Sequence, residues 1–194
     1  MNDFIAQQIC SSIEIKQNLL DNSKTIDQLK AICEVIIVAY KRGNKTLFAG
    51  NGGSAADAQH LAGEFVSRFY FDRPGLSSIA LTTDTSILTA VGNDYGFNQL
   101  FARQVQANGC PGDVFFGIST SGNSENIICA IDECKKKDII TIGFTGEKGG
   151  IMSEFCDYCI KVPSQETPRI QESHIMLGHI ICAVVERAIF GDAI

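Results

Sequence analysis

Positive charge is scarce in this sequence: 16 Lys and Arg stand against 22 Asp and Glu, a formal net charge of -6. Those cations are scattered, whereas a nucleic-acid backbone is met by clustered Lys and Arg, so no nucleic-acid partner is expected. The one basic run, Lys135-Lys136-Lys137, falls at the end of a helical pattern, where cations favour the helix dipole. Long apolar runs are lacking too, and none approaches the roughly 20 residues that span a bilayer, so no membrane association is expected. Residues 1–20 mix Asp, Glu, Lys and Gln into their apolar positions, unlike a secretory leader. These features predict a cytoplasmic protein. A disordered composition is missing as well, since 45% hydrophobic and 20% charged residues make an ordinary globular balance. The length suits one domain over 1–194, able to bury on the order of 70% of its unfolded surface. Eight cysteines are present, but a reducing cytoplasm keeps thiols free. Cys33, Cys129 and Cys182 sit among apolar neighbours at helical spacing and read as small hydrophobes. Cys156 and Cys159 have CxxC spacing without a second pair or a strand-to-helix turn, which points to structural filler.

What is present is a change of period along the chain. Residues 5–20 and 26–42 carry Ile, Leu and Val at three- and four-residue spacing, predicting two opening amphipathic helices. Asn22-Ser23 supplies caps between them, and Gly43-Asn44 ends the second. Short apolar runs follow at 46–49, 78–81, 114–118, 139–144 and 158–162. Each ends in small or hydroxylated residues, and helical patterns follow, one through Arg68, one through Lys136 and a long one over 167–190. Such repeated strand–loop–helix units predict a parallel sheet covered on both faces, a three-layer αβα sandwich with five strands. Ligands of these sheets bind beyond the carboxyl ends of the strands, where this sequence concentrates Gly, Ser, Thr and Asn.

Two of those loops carry chemistry. Gly50-Asn51-Gly52-Gly53-Ser54 leads a strand into a helix, a setting in which glycines let backbone approach a ligand and helix amides favour an anion. It is neither a P-loop, lacking Gly-Lys-Ser/Thr, nor a dinucleotide fingerprint, and a tight turn explains its glycines equally well. Ser119 to Ser124 holds Ser119, Thr120, Ser121 and Ser124 around one turn, where a single hydroxyl would suffice as a cap. Four can donate to the oxygens of one phosphate, with the helix dipole adding positive potential. His60 and Glu64, four apart, share a helix face beside this presumed site, as a surface contact would also. Gln171 and His179, eight apart, can share one broad face of the closing helix, although a His in so apolar a helix also reads as core.

The stretch Gly50–Ser54 with His60 and Glu64 resembles the sedoheptulose 7-phosphate isomerases (phosphoheptose isomerases). So do Gly92-Asn93-Asp94-Tyr95-Gly96-Phe97, Ile118 to Ser124, and Arg169-Ile170-Gln171-Glu172 with His179. The resemblance covers essentially the whole chain and implies the sugar-isomerase (SIS), flavodoxin-like fold. It implies conversion of sedoheptulose 7-phosphate to D-glycero-D-manno-heptose 7-phosphate, a precursor of bacterial surface heptose, by a homotetramer. It further implies Zn2+ held by His60, Glu64, Gln171 and His179. Substrate binding would fall to Asn51, Gly52, Gly53, Arg68, Asn93, Asp94, Ser119, Thr120, Ser121, Ser124 and Gln171, the segment around Asn93 matching a substrate loop. Glu64 is the expected base and His179 its acid/base partner through a cis-enediol. A zinc-bound carboxylate is a weaker base, so either Glu64 shifts off the metal during turnover or the zinc is mainly structural.

Three rivals stand beside this expectation. SIS-fold adaptors that bind a replication initiator resemble the family too, but in them the closing-helix histidine is replaced, whereas His179 is present here. A sugar-sensing regulator would carry a DNA-binding segment beside the SIS unit. An amino-sugar phosphate isomerase is opposed by the His60/Glu64 and Gln171/His179 pairs.

Overall fold

The computed structural model describes residues 1–191; the last three of the expected 1–194 domain lie outside the described residues. The chain opens with α1 (Asn2–Asp21) and α2 (Ser23–Lys41), and the Asn22 side chain accepts the Thr25 N–H to cap the second. Five strands follow: β1 (Thr46–Gly50), β2 (Ser78–Ala80), β3 (Val114–Ile118), β4 (Ile140–Thr145) and β5 (Tyr158–Lys161). All pair in parallel in the order β2-β1-β3-β4-β5. The connecting helices are α3 (Gly53–Val66), α4 (Thr85–Tyr95), α5 (Leu100–Asn108), α6 (Glu125–Lys136) and α7 (Met152–Phe155), and α8 (Thr167–Phe190) closes the chain.

β1 and β3 are buried at every residue, as near-continuous apolar strands between two helical layers must be. Alternate residues feed opposite cores. Phe48, Phe116 and Phe144 join α2, α3 and α8 on one face, while Leu47, Ala49 and Phe115 join α5 and α6 on the other. The expected three-layer αβα sandwich is therefore the observed one. α8 is long and apolar enough, by length and composition, to cross a bilayer, which uninterrupted runs alone did not reveal. It packs instead on α1, α2 and α3. The CxxC thiols converge on Gly143, where a Cβ would lie 2.9 Å from Cys156 Sγ and 3.2 Å from Cys159 Sγ. Burial pushes the Cys156 thiol up to about 12 and raises that of Cys159, so both stay protonated packing groups.

Two boundaries differ from expectation for a physical reason. The helix expected through Arg68 ends at Val66, because side chains from elsewhere take its last carbonyls and the N–H groups of Phe69 and Tyr70. Asn93 and Asp94, expected in a loop, are helical, in the last turn of α4, whose start is capped by Asp84 accepting the Ile87 N–H.

Candidate active site

β1 and β3 are neighbours although the chain visits β2 between them, so strand order reverses at that point. Such reversals open a crevice at the carboxyl ends of the strands. Gly50 and Ile118 are partners in register there, which places the glycine loop and the hydroxyl loop side by side. Asn51 and Asn126 tie the glycine loop to the first turn of α6 with reciprocal amide bonds, both 2.9 Å. Asn126 is buried, and sequence reasoning missed it because a separation of 75 residues leaves no local pattern.

The hydroxyl loop is not spent on capping. Ser124 is the N-cap residue of α6 yet makes no side-chain cap bond; its hydroxyl meets Ser119 Oγ at 2.8 Å. Ser121 Oγ lies 3.4 Å from Ser119 Oγ and accepts the Asn123 N–H at 3.1 Å. Thr120 and Ser121 line a cleft of ≈ 230 Å³ together with Asn123, Lys148 and Ser164. Lys148, which the sequence reading did not single out, brings to this cleft a cation that the loop itself lacks, beside the carboxylate of Glu147. These groups can hold a phosphate through hydroxyls and the amides at the start of α6.

On the other side of the glycine loop, α3 and α8 bring together residues that the family resemblance implied as a site. His60 Nε2 lies 2.8 Å from His179 Nε2 and 3.2 Å from Glu64 Oε1. The three ligand atoms all fall within 4.8 Å of one another, a His/Glu/His group able to hold a metal ion. Two imidazole nitrogens and a carboxylate aimed at one point need a proton or a cation between them. His60 is exposed and Glu64 and His179 are half-buried, so the cluster is open to small molecules. Two glycines make this approach possible. A Cβ on Gly53 would sit 2.5 Å from the Gln171 amide, and one on Gly178 would sit 2.5 Å from Leu61 Cδ2. Gln171 thus packs over the glycine loop, and α8 lies close against α3 one residue from both His60 and His179. Asp57, one turn before His60, keeps Oδ2 buried without a hydrogen-bond partner among the described residues, and burial raises its carboxyl against the pull of His60.

The remaining expected residues lie apart from this cluster's contacts. Arg68 is exposed, just beyond α3. Asn93 and Asp94 are exposed and bond each other at 2.8 Å.

A parallel sheet with a hydroxyl loop at its switch point defines a SIS-domain protein, and the SIS domain family matches residues 13–146. A phosphoheptose isomerase of Aneurinibacillus thermoaerophilus is 65% identical over 190 residues, covering 98% of this chain and 96% of that one. Among solved structures, phosphoheptose isomerase GmhA from Neisseria gonorrhoeae superposes with a TM-score of 0.89 at 40% identity, covering 95% of this chain and 98% of that one. A phosphoheptose isomerase from Francisella tularensis superposes with a TM-score of 0.91 at 35% identity, covering 95% and 97%. The chain belongs to the phosphoheptose isomerase family and is an aldose–ketose isomerase. The adaptor alternative is not favoured.

Proposed function

We propose that this enzyme interconverts D-sedoheptulose 7-phosphate and D-glycero-D-manno-heptose 7-phosphate, a step toward bacterial heptose, in the crevice between the hydroxyl loop and the α3–α8 cluster. The observation that carries the reading is the convergence of His60, Glu64 and His179 beside a loop whose serine hydroxyls bond one another at 2.8 and 3.4 Å. Ser119, Thr120, Ser121 and Ser124 hold the phosphate, which anchors one end of the sugar. Asn51, Gly52 and Gly53 line the path from that anchor to the cluster, with Gln171 over them. Arg68, Asn93 and Asp94 contribute from the rim. Glu64 removes a proton from C1 of the ketose and returns it to C2, while His179 moves a proton between O2 and O1, so the atoms balance through a cis-enediol. In the reverse direction the same two groups exchange the same protons.

The donor set suits zinc. About 3.3 Å separates two ligand atoms of a tetrahedral ion at usual zinc distances. The His60–Glu64 gap of 3.2 Å already matches, and the His60–His179 gap of 2.8 Å needs to widen by only about 0.5 Å. His60, Glu64 and His179 would hold the ion, with Gln171 as the fourth donor. When bound, it would polarise the sugar oxygens and favour the enediolate. We also place the enzyme in the cytoplasm, as one domain over 1–194 that assembles into a homotetramer.

The test is product formation from sedoheptulose 7-phosphate, followed by NMR before and after metal stripping and zinc return. Formation of the aldose phosphate that falls on stripping and recovers with zinc is the expected result. Turnover that survives complete stripping removes the zinc role, and folded protein with no turnover in any state removes the substrate. Glu64→Gln is expected to lower kcat by at least about 100-fold while leaving the circular dichroism spectrum unchanged. A fully active variant would eliminate Glu64 as the base.

A further inference from the structure

α3 is closed by an ion pair whose members lie 113 residues apart. The helix stops at Val66 with the Ser67 N–H bonded to the Gly63 carbonyl, so the carbonyls of Glu64 and Phe65 need donors from outside. Arg73 meets both: Nη2 donates to the Glu64 carbonyl at 2.9 Å and Nη1 to the Phe65 carbonyl at 2.6 Å, which it shares with the Leu76 N–H at 3.0 Å. Its Nε donates to Glu186 Oε1 at 3.0 Å, and the two side chains are 2% and 1% exposed. Glu186 also accepts the N–H groups of Phe69 at 2.8 Å and Tyr70 at 2.7 Å. On α8 it follows His179 by seven residues, close to two turns, so both point from the same side of that helix. The Phe69 ring, held by Glu186 through its own N–H, lies 5.6 Å from the His179 ring between centroids. One buried pair therefore touches the backbone of Glu64 and the residue that packs on His179.

Helix termination does not require this. A glycine in the left-handed conformation ends a helix without burying charge, and apolar residues of similar volume often replace a buried ion pair without loss of stability. What the pair adds is direction, because the rigid guanidinium fork fixes its acceptors relative to one another.

We propose that Arg73 and Glu186 are positioning residues for proton transfer, locking the end of α3 onto α8 and so setting the separation of Glu64 from His179. This rests on the reading of Glu64 and His179 as the acid–base pair, and the test separates the two.

Steady-state kinetics on the full chain would compare Glu186→Gln, Arg73→Lys and the apolar double variant Arg73→Met/Glu186→Leu with wild type and Glu64→Gln. The double variant removes the fork without leaving a buried charge alone, so it keeps the test open if a single variant folds poorly. The expected result is kcat lowered about 10- to 100-fold, the scale of a misplacement near 1 Å. KM should stay within about threefold, because the phosphate loop lies on β3 and α6, away from the pair. The deuterium isotope effect on C1-labelled ketose should rise in the same variants, a change that loss of stability alone does not produce. A folded double variant with wild-type kcat and isotope effect would overturn the positioning role. If Glu64→Gln is itself fully active, the acid–base reading fails instead, whatever the pair variants do.

Discussion

His174 is the histidine without a place in the proposed chemistry, and its surroundings explain what it does instead. It is 1% exposed, Nε2 donates to the Thr145 carbonyl at 3.1 Å, and Nδ1 is buried with no partner among the described residues. The accepting carbonyl requires the proton on Nε2, and charging the ring would bury a cation. Burial accordingly pushes the imidazole from 6.5 down to about 4, against the opposing effect of the Thr145 hydrogen bond. A depressed histidine is neutral in the folded state while the unfolded chain takes up a proton below 6.5. Its stabilisation is therefore complete above pH 6.5 and is lost as pH falls toward 4. Between pH 7 and pH 5 this should cost about 2 kcal/mol, at roughly 1.4 kcal/mol per pH unit. Urea unfolding at fixed protein concentration would show it, with His174→Gln losing correspondingly less over the same range. Equal losses in both proteins would remove His174 as the source. Helical spacing paired His60 with Glu64 and Gln171 with His179, and the family resemblance turned those pairs into an expected site. His174, Asn126 and Glu186 were not legible, since their partners lie 29 to 117 residues away, and neither was Arg73, whose ion-pair partner lies 113 residues away; no periodicity marks any of them.

At the scale of elements, the site depends on how closely α8 approaches α3. Gly178 faces Leu61, and these two residues adjoin His179 and His60. Alanine at 178 would gain about 1 kcal/mol in helix propensity. Against that, its methyl would press on three atoms of the Leu61 side chain, which is only 2% exposed and sits in the core. Overpacking of this kind costs about 1–3 kcal/mol, so crowding wins and the helices part slightly. Gly178→Ala should lower Tm by a few degrees, on the order of 2–4 °C per kcal/mol at this size. It should lower kcat much more, by about 10-fold or greater, because the His60–Glu64–His179 spacing changes with the helix separation. Differential scanning calorimetry beside an NMR turnover assay would read both, and a variant as active as wild type would show that the cluster tolerates the shift. The strands and both ligand loops were legible at this scale, because buried parallel strands leave nearly unbroken apolar runs and the loops change composition abruptly. The helical state of Asn93 and Asp94 was not. α4 meets the second core only through the half-buried Leu88 and Val91, too short a stripe to separate helix from loop.

For the whole molecule, the unfinished business is surface. α1 spans 20 residues, yet only Leu19 among them is buried. Ile5, Ile9 and Ile13 recur every fourth residue and are 51%, 57% and 60% exposed, with Phe4 beside them at 63%. A helix of this length has little stability in water without tertiary packing, so a bare apolar stripe on it calls for a partner. A second apolar surface, a groove of ≈ 380 Å³ lined by Tyr70, Ile175, Met176, Ile180 and Val184, adjoins His179 itself. Further copies of the chain covering both surfaces would bury the stripe and shelter the acid–base cluster together, which ties assembly to activity. Size-exclusion chromatography with light scattering at micromolar concentration should therefore give a mass four times the 21.0 kDa of one chain. The double substitution Ile9→Glu/Ile13→Glu places like charges in the stripe, so it should yield smaller species and reduced turnover while helical content is kept. A wild-type chain that elutes as a fully active monomer would break the link between assembly and activity. The stripe would then be a surface whose exposure this fold tolerates.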